Sequence, residues 1–260
     1  MDHILKKGGS SQMFENKKII IFDMDGTLID SIGIWNQVDI ALISRLKAGE
    51  RISEREVQER RDAVLRQYSS AASPYMEYCR ILKEKYASPM SADEIHTLRY
   101  EIAQDFLRHE IDYKEDAELL LKELKQRGFL LVITSTTRRK NMDIYREENE
   151  NIREKAAIDE FFSAVYTRED AHEIKPHPEI YLRVLDDFHA VPEETLVFED
   201  SLIGLEAAKS AGLETVAVYD RYSDPDREQI NWISDHCIDS FAEAVRYLQE
   251  EGPRGGIHHE

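Results

Sequence analysis

Apolar residues in this chain follow two rhythms. The first is short and unbroken: Ile19–Phe22, Phe129–Ile133, Ala164–Thr167, Leu196–Phe198 and Thr215–Val218. Runs rich in β-branched and aromatic residues, without polar alternation, read as strands buried on both faces of a parallel sheet. The second rhythm is helical. It covers Glu115–Arg127 ahead of Gly128, the stretch after Ser201 that carries Gly204, Ala207, Ala208, Ala211 and Gly212, and Asp239–Glu250. Strands alternating with helices predict an α/β fold: a Rossmann-like, three-layer core with a parallel sheet and right-handed crossovers.

Residues 32–114 break this alternation. They carry only helical spacing: Trp35, Val38, Leu42, Ile43 and Leu46; Val57 and Leu65; then Tyr75, Tyr78, Ile81, Leu82 and Tyr86, with Pro74 and Pro89 as punctuation. Ser91 with Glu94 three residues later predicts a capping box at the start of a helix running to about His109. The expected organisation is a core of residues 17–31 and 115–250 with an α-helical domain, 32–114, inserted after the first strand. Residues 1–16 and 251–260 read as tails, with Met13 as an alternative start. Residues 138–160 mix charges of both signs and read as a solvated helix laced with i,i+4 pairs.

Candidate chemistry sits where the apolar runs stop. Asp23-Met24-Asp25-Gly26-Thr27 follows the first run. Side chains two apart share a face of a strand, so Asp23 and Asp25 can project together from its end. Adjacent carboxylates repel unless a cation or a shared proton relieves them. Mg²⁺ is a hard cation that takes such oxygen ligands beside a substrate phosphate. The second run ends at Thr134-Ser135-Thr136, hydroxyls suited to phosphate oxygens or to capping the next helix. Lys175 stands in Lys175-Pro176-His177-Pro178, a stretch stiffened by two prolines. His177 reads as incidental there. The fourth run ends in Glu199-Asp200-Ser201. In parallel sheets ligands gather at the carboxyl ends of the strands, so these groups are expected on one rim.

Taken together, KKIIIFDMDGTLIDS, the Thr134 segment, KPHPEIY and VFEDSLIGLEAAKSAG resemble the four ordered motifs of the haloacid dehalogenase superfamily, in its phosphatase and β-phosphoglucomutase-like branch. The resemblance covers the core motifs and, for residues 32–114, the position and helical character of that family's cap. It implies Asp23 as nucleophile and Asp25 as general acid and base. It also implies Thr134 with Ser135 and Lys175 for phosphate, Lys175 pairing Asp23, and Mg²⁺ on Asp23, Asp25, Asp200 and Glu199. The Asp at position 25 points to phosphoryl transfer, since the dehalogenase and phosphonatase branches lack it. The implied activity is Mg²⁺-dependent hydrolysis of a small phosphate monoester through an aspartyl-phosphate. A mutase using the same intermediate is the alternative, and a non-catalytic binding protein on the same fold the more distant one. The 41 residues from Thr134 to Lys175 exceed the family's usual spacing.

Composition narrows the partners. Of 260 residues, 34 are Lys or Arg and 52 Asp or Glu, a net charge of −18. So acidic a surface repels nucleic acid and anionic lipid, and a phosphate site on it must be locally positive. Neither a membrane-length apolar run nor a signal peptide is visible, and Cys79 and Cys237 fit no metal spacing. The expectation is a cytoplasmic enzyme with reduced thiols, a monomer or weak dimer, whose partner is a small molecule. Arg45, Arg51, Arg55, Arg60 and Arg61 are candidates for a second substrate phosphate, most of them read as a solvated helix face.

Overall fold

The computed structural model describes residues 12–68 and 73–251, so the outer parts of both expected tails lie outside the described residues. The chain divides into two compact units, one of residues 31–111 and one of residues up to 30 with those from 112 onward.

The 31–111 unit is helical throughout. It comprises α1 (Ile34–Leu46), α2 (Glu54–Gln67), α3 (Pro74–Tyr86) and α4 (Ala92–His109). Pro74 opens α3, where a missing N–H costs nothing, and Ser73 caps it by accepting from the Met76 amide. The Ser91–Glu94 capping box forms as expected. Val38, Leu42, Val57, Tyr78, Leu82 and Ile95 are buried in a common cluster; the side chain of Leu65 lies outside the described residues. Polar groups are buried beside them. Asp39, fully buried on α1, accepts from Arg61 of α2 at 3.0 Å and from Arg99 of α4 at 2.6 Å. Arg99 in turn lies over the rings of Trp35 and Tyr75. Arg61, one of the five arginines considered for a second phosphate, is therefore committed to holding helices together. Arg55 and Arg60 pair along their own helix with Glu59 and Glu56.

The other unit carries a six-stranded parallel sheet with strands β1 (Ile19–Phe22), β2 (Leu130–Thr134), β3 (Ala164–Tyr166), β4 (Thr195–Glu199), β5 (Glu214–Val218) and β6 (His236–Ile238), in the order 3-2-1-4-5-6. Every pairing is parallel. The sequence pattern missed β6, whose three residues are only partly apolar. It also assigned no helix to Glu179–Asp187 or Arg227–Ile233. The helices of this unit are α5 (Ala117–Gln126), α6 (Arg139–Asp143), α7 (Glu150–Ala156), α8 (Ile158–Phe161), α9 (Glu179–Asp187), α10 (Leu202–Ser210), α11 (Arg227–Ile233) and α12 (Phe241–Glu250). No helix among the described residues is long and apolar enough to cross a membrane.

Two expectations need correction. Met13 and Phe14, placed in a tail, are buried: Phe14 packs against Phe129 and stacks on Phe198, and its amide donates to Glu251 at 2.9 Å. Aromatic area removed from water outweighs the polar residues around it. The 138–160 stretch is not one solvated helix either. It folds as α6, a π-helical turn at Ile144–Glu148, α7 and α8, with Met142, Ile144, Tyr145, Ile152, Ala156 and Ile158 buried. Its charged residues reach across turns, as in Arg146 to Asp159, rather than along an i,i+4 ladder. Sparse apolar positions in a charged background were enough to build a buried face.

Candidate active site

The register of the sheet brings the site residues together. Phe22 pairs with Ile133 on one side and Phe198 on the other. The next residue along each of these three strands is Asp23, Thr134 and Glu199, so all three leave the central strands in one row. Asp23 stays in the ladder through its amide, which donates to the Phe198 carbonyl at 3.0 Å. The chain then turns sharply. Gly26 takes φ +87°, a conformation in which a Cβ is strained, and its amide donates to Ile29.

Lys175 closes the row from above. Its Nζ donates to Asp23 Oδ1 at 2.7 Å, to Glu199 Oε1 at 2.9 Å and to the Thr134 carbonyl at 3.2 Å. The ammonium is 3% exposed and lies 5.2 Å from the centre of the Tyr181 ring. Glu179, at the start of α9, ties the loop before Lys175 by accepting the amides of His172 and Glu173. His177 is half exposed and pairs with Glu173, in keeping with an incidental place.

Asp200 follows Glu199. Its Oδ1 accepts from the Thr27 hydroxyl at 2.7 Å and its Oδ2 from Ser223 at 3.3 Å. Glu199 Oε2 accepts three donors: the amides of Asp200 and Ser201 and the Ser201 hydroxyl. Thr27 was visible within the first motif but drew no role. Ser223 lies on a short 3₁₀ helix, Arg221–Asp226, with no apolar periodicity, and left no signal at all.

The two candidate hydroxyls separate. Thr134 Oγ1 is buried without a hydrogen-bond partner, and only its carbonyl meets Lys175. Ser135 Oγ lies 3.5 Å from Asp25 Oδ2 and accepts the Thr137 amide at 3.0 Å. Asp25 is half-buried, and its Oδ1 accepts from the Tyr145 hydroxyl at 3.1 Å. Tyr145 comes from the charged stretch and was not foreseen as part of the site.

Electrostatics follow from this crowding. Burial pushes the Asp23 carboxyl well above the usual range; Lys175 offsets part of the shift, while Glu199 and Asp200 add to it. Burial, then the Glu199 charge, raises Asp200 to about 7. Burial alone would lower Lys175, yet Asp23 and Glu199 more than reverse it, and the ammonium holds its proton tightly. Lys175 thus offsets two of three buried acids directly. Carboxylate oxygens of Asp23, Glu199 and Asp200 lie within 4.8 Å of one another, an all-oxygen, anionic set that fits a hard divalent ion. The acids also set a pH dependence. Between about pH 4 and 7 the folded state holds a proton on Asp200 that the unfolded chain has released, so stability falls as pH rises through that window. Melting curves in EDTA should show this slope, and added Mg²⁺ should flatten it; a slope unchanged by Mg²⁺ would speak against a cation site here.

Gly204, on the first turn of α10, is required for space. A Cβ there would lie 1.6 Å from Glu199 Oε1. That carboxylate has no room to retreat, held as it is by Lys175 and the Asp200–Ser201 amides. Gly204→Ala should therefore cost about 1–3 kcal/mol in urea unfolding. An unchanged midpoint would mean that Glu199 is less firmly anchored than its contacts indicate.

Comparison with known proteins identifies a family. The profile of the haloacid dehalogenase-like hydrolase family matches residues 20–218. A phosphorylated carbohydrates phosphatase of Thermotoga maritima is 28% identical over 202 residues, covering 76% of this chain and 82% of that protein. The pyrophosphatase PpaX of Bacillus mycoides is 33% identical over 98 residues, 38% of this chain and 42% of its own length. Among solved structures, a provisionally named β-phosphoglucomutase of Thermotoga maritima superposes with a TM-score of 0.70 at 24% identity, covering 90% of this chain and 99% of that one. CbbY of Rhodobacter sphaeroides, solved with phosphate, gives 0.63 at 23% identity, with coverages of 90% and 99%. These two likenesses concern the fold; the profile match, spanning every segment that supplies the acidic cluster and Lys175, shows that the chain belongs to the haloacid dehalogenase-like hydrolase family.

Proposed function

We propose that the chain is a phosphatase that hydrolyses a small phosphate monoester, with Asp23 as the nucleophile. The observation that carries this reading is the Lys175–Asp23 pair at 2.7 Å, set at the carboxyl end of the central strand with Asp25 two residues on. A buried carboxylate aligned by an ammonium is poised for attack, and the same ammonium is placed to share the charge of phosphoryl oxygens.

In the first step an Asp23 oxygen forms a bond to phosphorus in line with the departing oxygen. The P–O bond to the alcohol breaks, its electron pair stays with that oxygen, and Asp25 supplies the proton. In the second step Asp25 takes a proton from water as the water oxygen bonds to phosphorus. The acyl-phosphate bond then breaks and Asp23 is restored as carboxylate. Asp23, Asp200 and the Asp25 carbonyl would hold a Mg²⁺ ion, which when bound neutralises and orients the phosphoryl oxygens. Glu199, with one oxygen on Lys175 and the other saturated by three donors, anchors the Asp200–Ser201 turn beside it. Of the two hydroxyls, Ser135 is the better placed for a phosphoryl oxygen, because it lies beside Asp25, whereas Thr134 Oγ1 meets no polar group and only its carbonyl reaches Lys175.

The substrate class we favour is a phosphorylated carbohydrate. The Thermotoga maritima relative of that name supports it, being similar over most of both chains. The test is phosphate release from sugar phosphates, phosphoglycolate, pyrophosphate and nucleotides, with Mg²⁺ and with EDTA. Mg²⁺-dependent release from a sugar phosphate is the expected result. Conversion of β-glucose 1-phosphate to glucose 6-phosphate without free phosphate would replace hydrolysis by isomerisation, and no turnover of any ester would overturn the reading.

A further inference from the structure

The π-helical turn Ile144–Glu148 is closed by the Asn149 amide donating to the Ile144 carbonyl at 2.9 Å, five residues back. Such turns are rare and recur at functional sites. Here the turn buries two consecutive residues, Ile144 and Tyr145. Its C-terminal side is pinned. Asn149 caps α7 by accepting the Ile152 amide, Arg146 pairs with Asp159, and Tyr113 donates to the Ala156 carbonyl at the end of α7. The Tyr145 ring is 1% exposed, and its hydroxyl reaches Asp25 Oδ1 at 3.1 Å. Ser135 approaches the other oxygen, Oδ2, at the longer distance of 3.5 Å.

We infer that Tyr145 is a positioning residue for Asp25, directing the proton that Asp25 transfers onto Oδ2. This rests on the acid role given to Asp25 above. A phenol that donates to Oδ1 occupies that oxygen as an acceptor, so a protonated Asp25 carries its hydrogen on Oδ2. The phenol has only this geometry to offer, its hydroxyl 3.1 Å from Oδ1 on a ring fixed by burial. The long, charged segment between Thr134 and Lys175 thereby acquires a purpose. It carries a rigid hydrogen-bond donor to the acid, on a turn whose geometry no ordinary helix supplies.

Leaving groups read this role directly. Phenolates depart with little help, whereas an alkoxide needs its proton in the transition state. The experiment compares kcat/KM for p-nitrophenyl, phenyl and benzyl phosphate in the wild-type enzyme, Tyr145→Phe and Asp25→Asn. Tyr145→Phe, which removes one oxygen, should lose most on benzyl phosphate, about tenfold, less on phenyl phosphate and least on p-nitrophenyl phosphate. Ratios between substrates do not depend on the folded fraction, so a less stable variant still answers. Asp25→Asn should show the same gradation more steeply. If Asp25→Asn is graded and Tyr145→Phe slows all three equally or not at all, the inference falls and the phosphatase reading stands. If Asp25→Asn itself is ungraded, the acid role fails and the inference with it.

Discussion

Asp23→Asn should abolish phosphate release while leaving a protein as stable as the wild type or more so. The amide keeps the shape of the carboxylate and an oxygen for Lys175, whose Nζ lies 2.7 Å from Oδ1. It has no anionic lone pair to attack phosphorus. Removing a covalent nucleophile from an enzyme costs on the order of 10⁴–10⁶-fold in turnover, and the same range is expected here with p-nitrophenyl phosphate. Stability moves the other way because Asp23 is a buried charge that burial itself disfavours, next to Glu199 and Asp200. Neutralising it relieves repulsion in the absence of metal and weakens the hold on Mg²⁺. Thermal midpoints in EDTA should be equal or higher, and the midpoint gain on adding Mg²⁺ smaller. Turnover within tenfold of the wild type would remove Asp23 from the centre of the mechanism.

Lys175→Met carries the largest expected loss of stability. Methionine fills similar volume but leaves Asp23 and Glu199 without their cation, beside Asp200, in a site where each acid is less than a tenth exposed. Breaking a buried ion pair by deleting one partner costs about 3–5 kcal/mol, because the stranded charge loses both water and partner. Two contacts are lost here, at 2.7 Å to Asp23 and 2.9 Å to Glu199. The penalty should be greatest at pH 8 in EDTA, where Asp200 adds its charge beside the stranded acids. It should shrink toward pH 5, as Asp200, raised to about 7, takes up a proton. Mg²⁺ should recover part of the stability at pH 8 and none of the phosphate contact, so kcat stays low when the fold is restored. Urea curves at the two pH values measure this. A Lys175→Met protein as stable as the wild type at pH 8 in EDTA would show that the acids are not relying on the ammonium.

Both variants act on contacts between segments far apart in the chain, and that distance separates what could be read in advance from what could not. Strand positions were legible because a strand buried on both faces needs an unbroken apolar run, and Ile19–Phe22 and Leu196–Phe198 supply one locally. The capping box at Ser91 was legible because both partners lie within four residues. The acids were legible because they stand at the ends of those runs, in an order that matched a known family.

Choices that depend on register and parity belonged to the tertiary structure. Thr134 and Ser135 are neighbours in the chain, but the pleat sends them different ways, and the pairing of Phe22 with Ile133 decides which hydroxyl faces Asp25. Arg61 looked like one of five similar arginines until α1 and α4 placed Asp39 and Arg99 around it. Tyr145 sits in a stretch dominated by charge, and its partner Asp25 lies 120 residues away. Local pattern determines which segments become strands and helices, since that outcome turns on burial of nearby side chains. Which polar atoms meet inside the molecule is decided only when the segments pack, because a hydrogen bond tolerates a few tenths of an ångström and the sequence carries no distances.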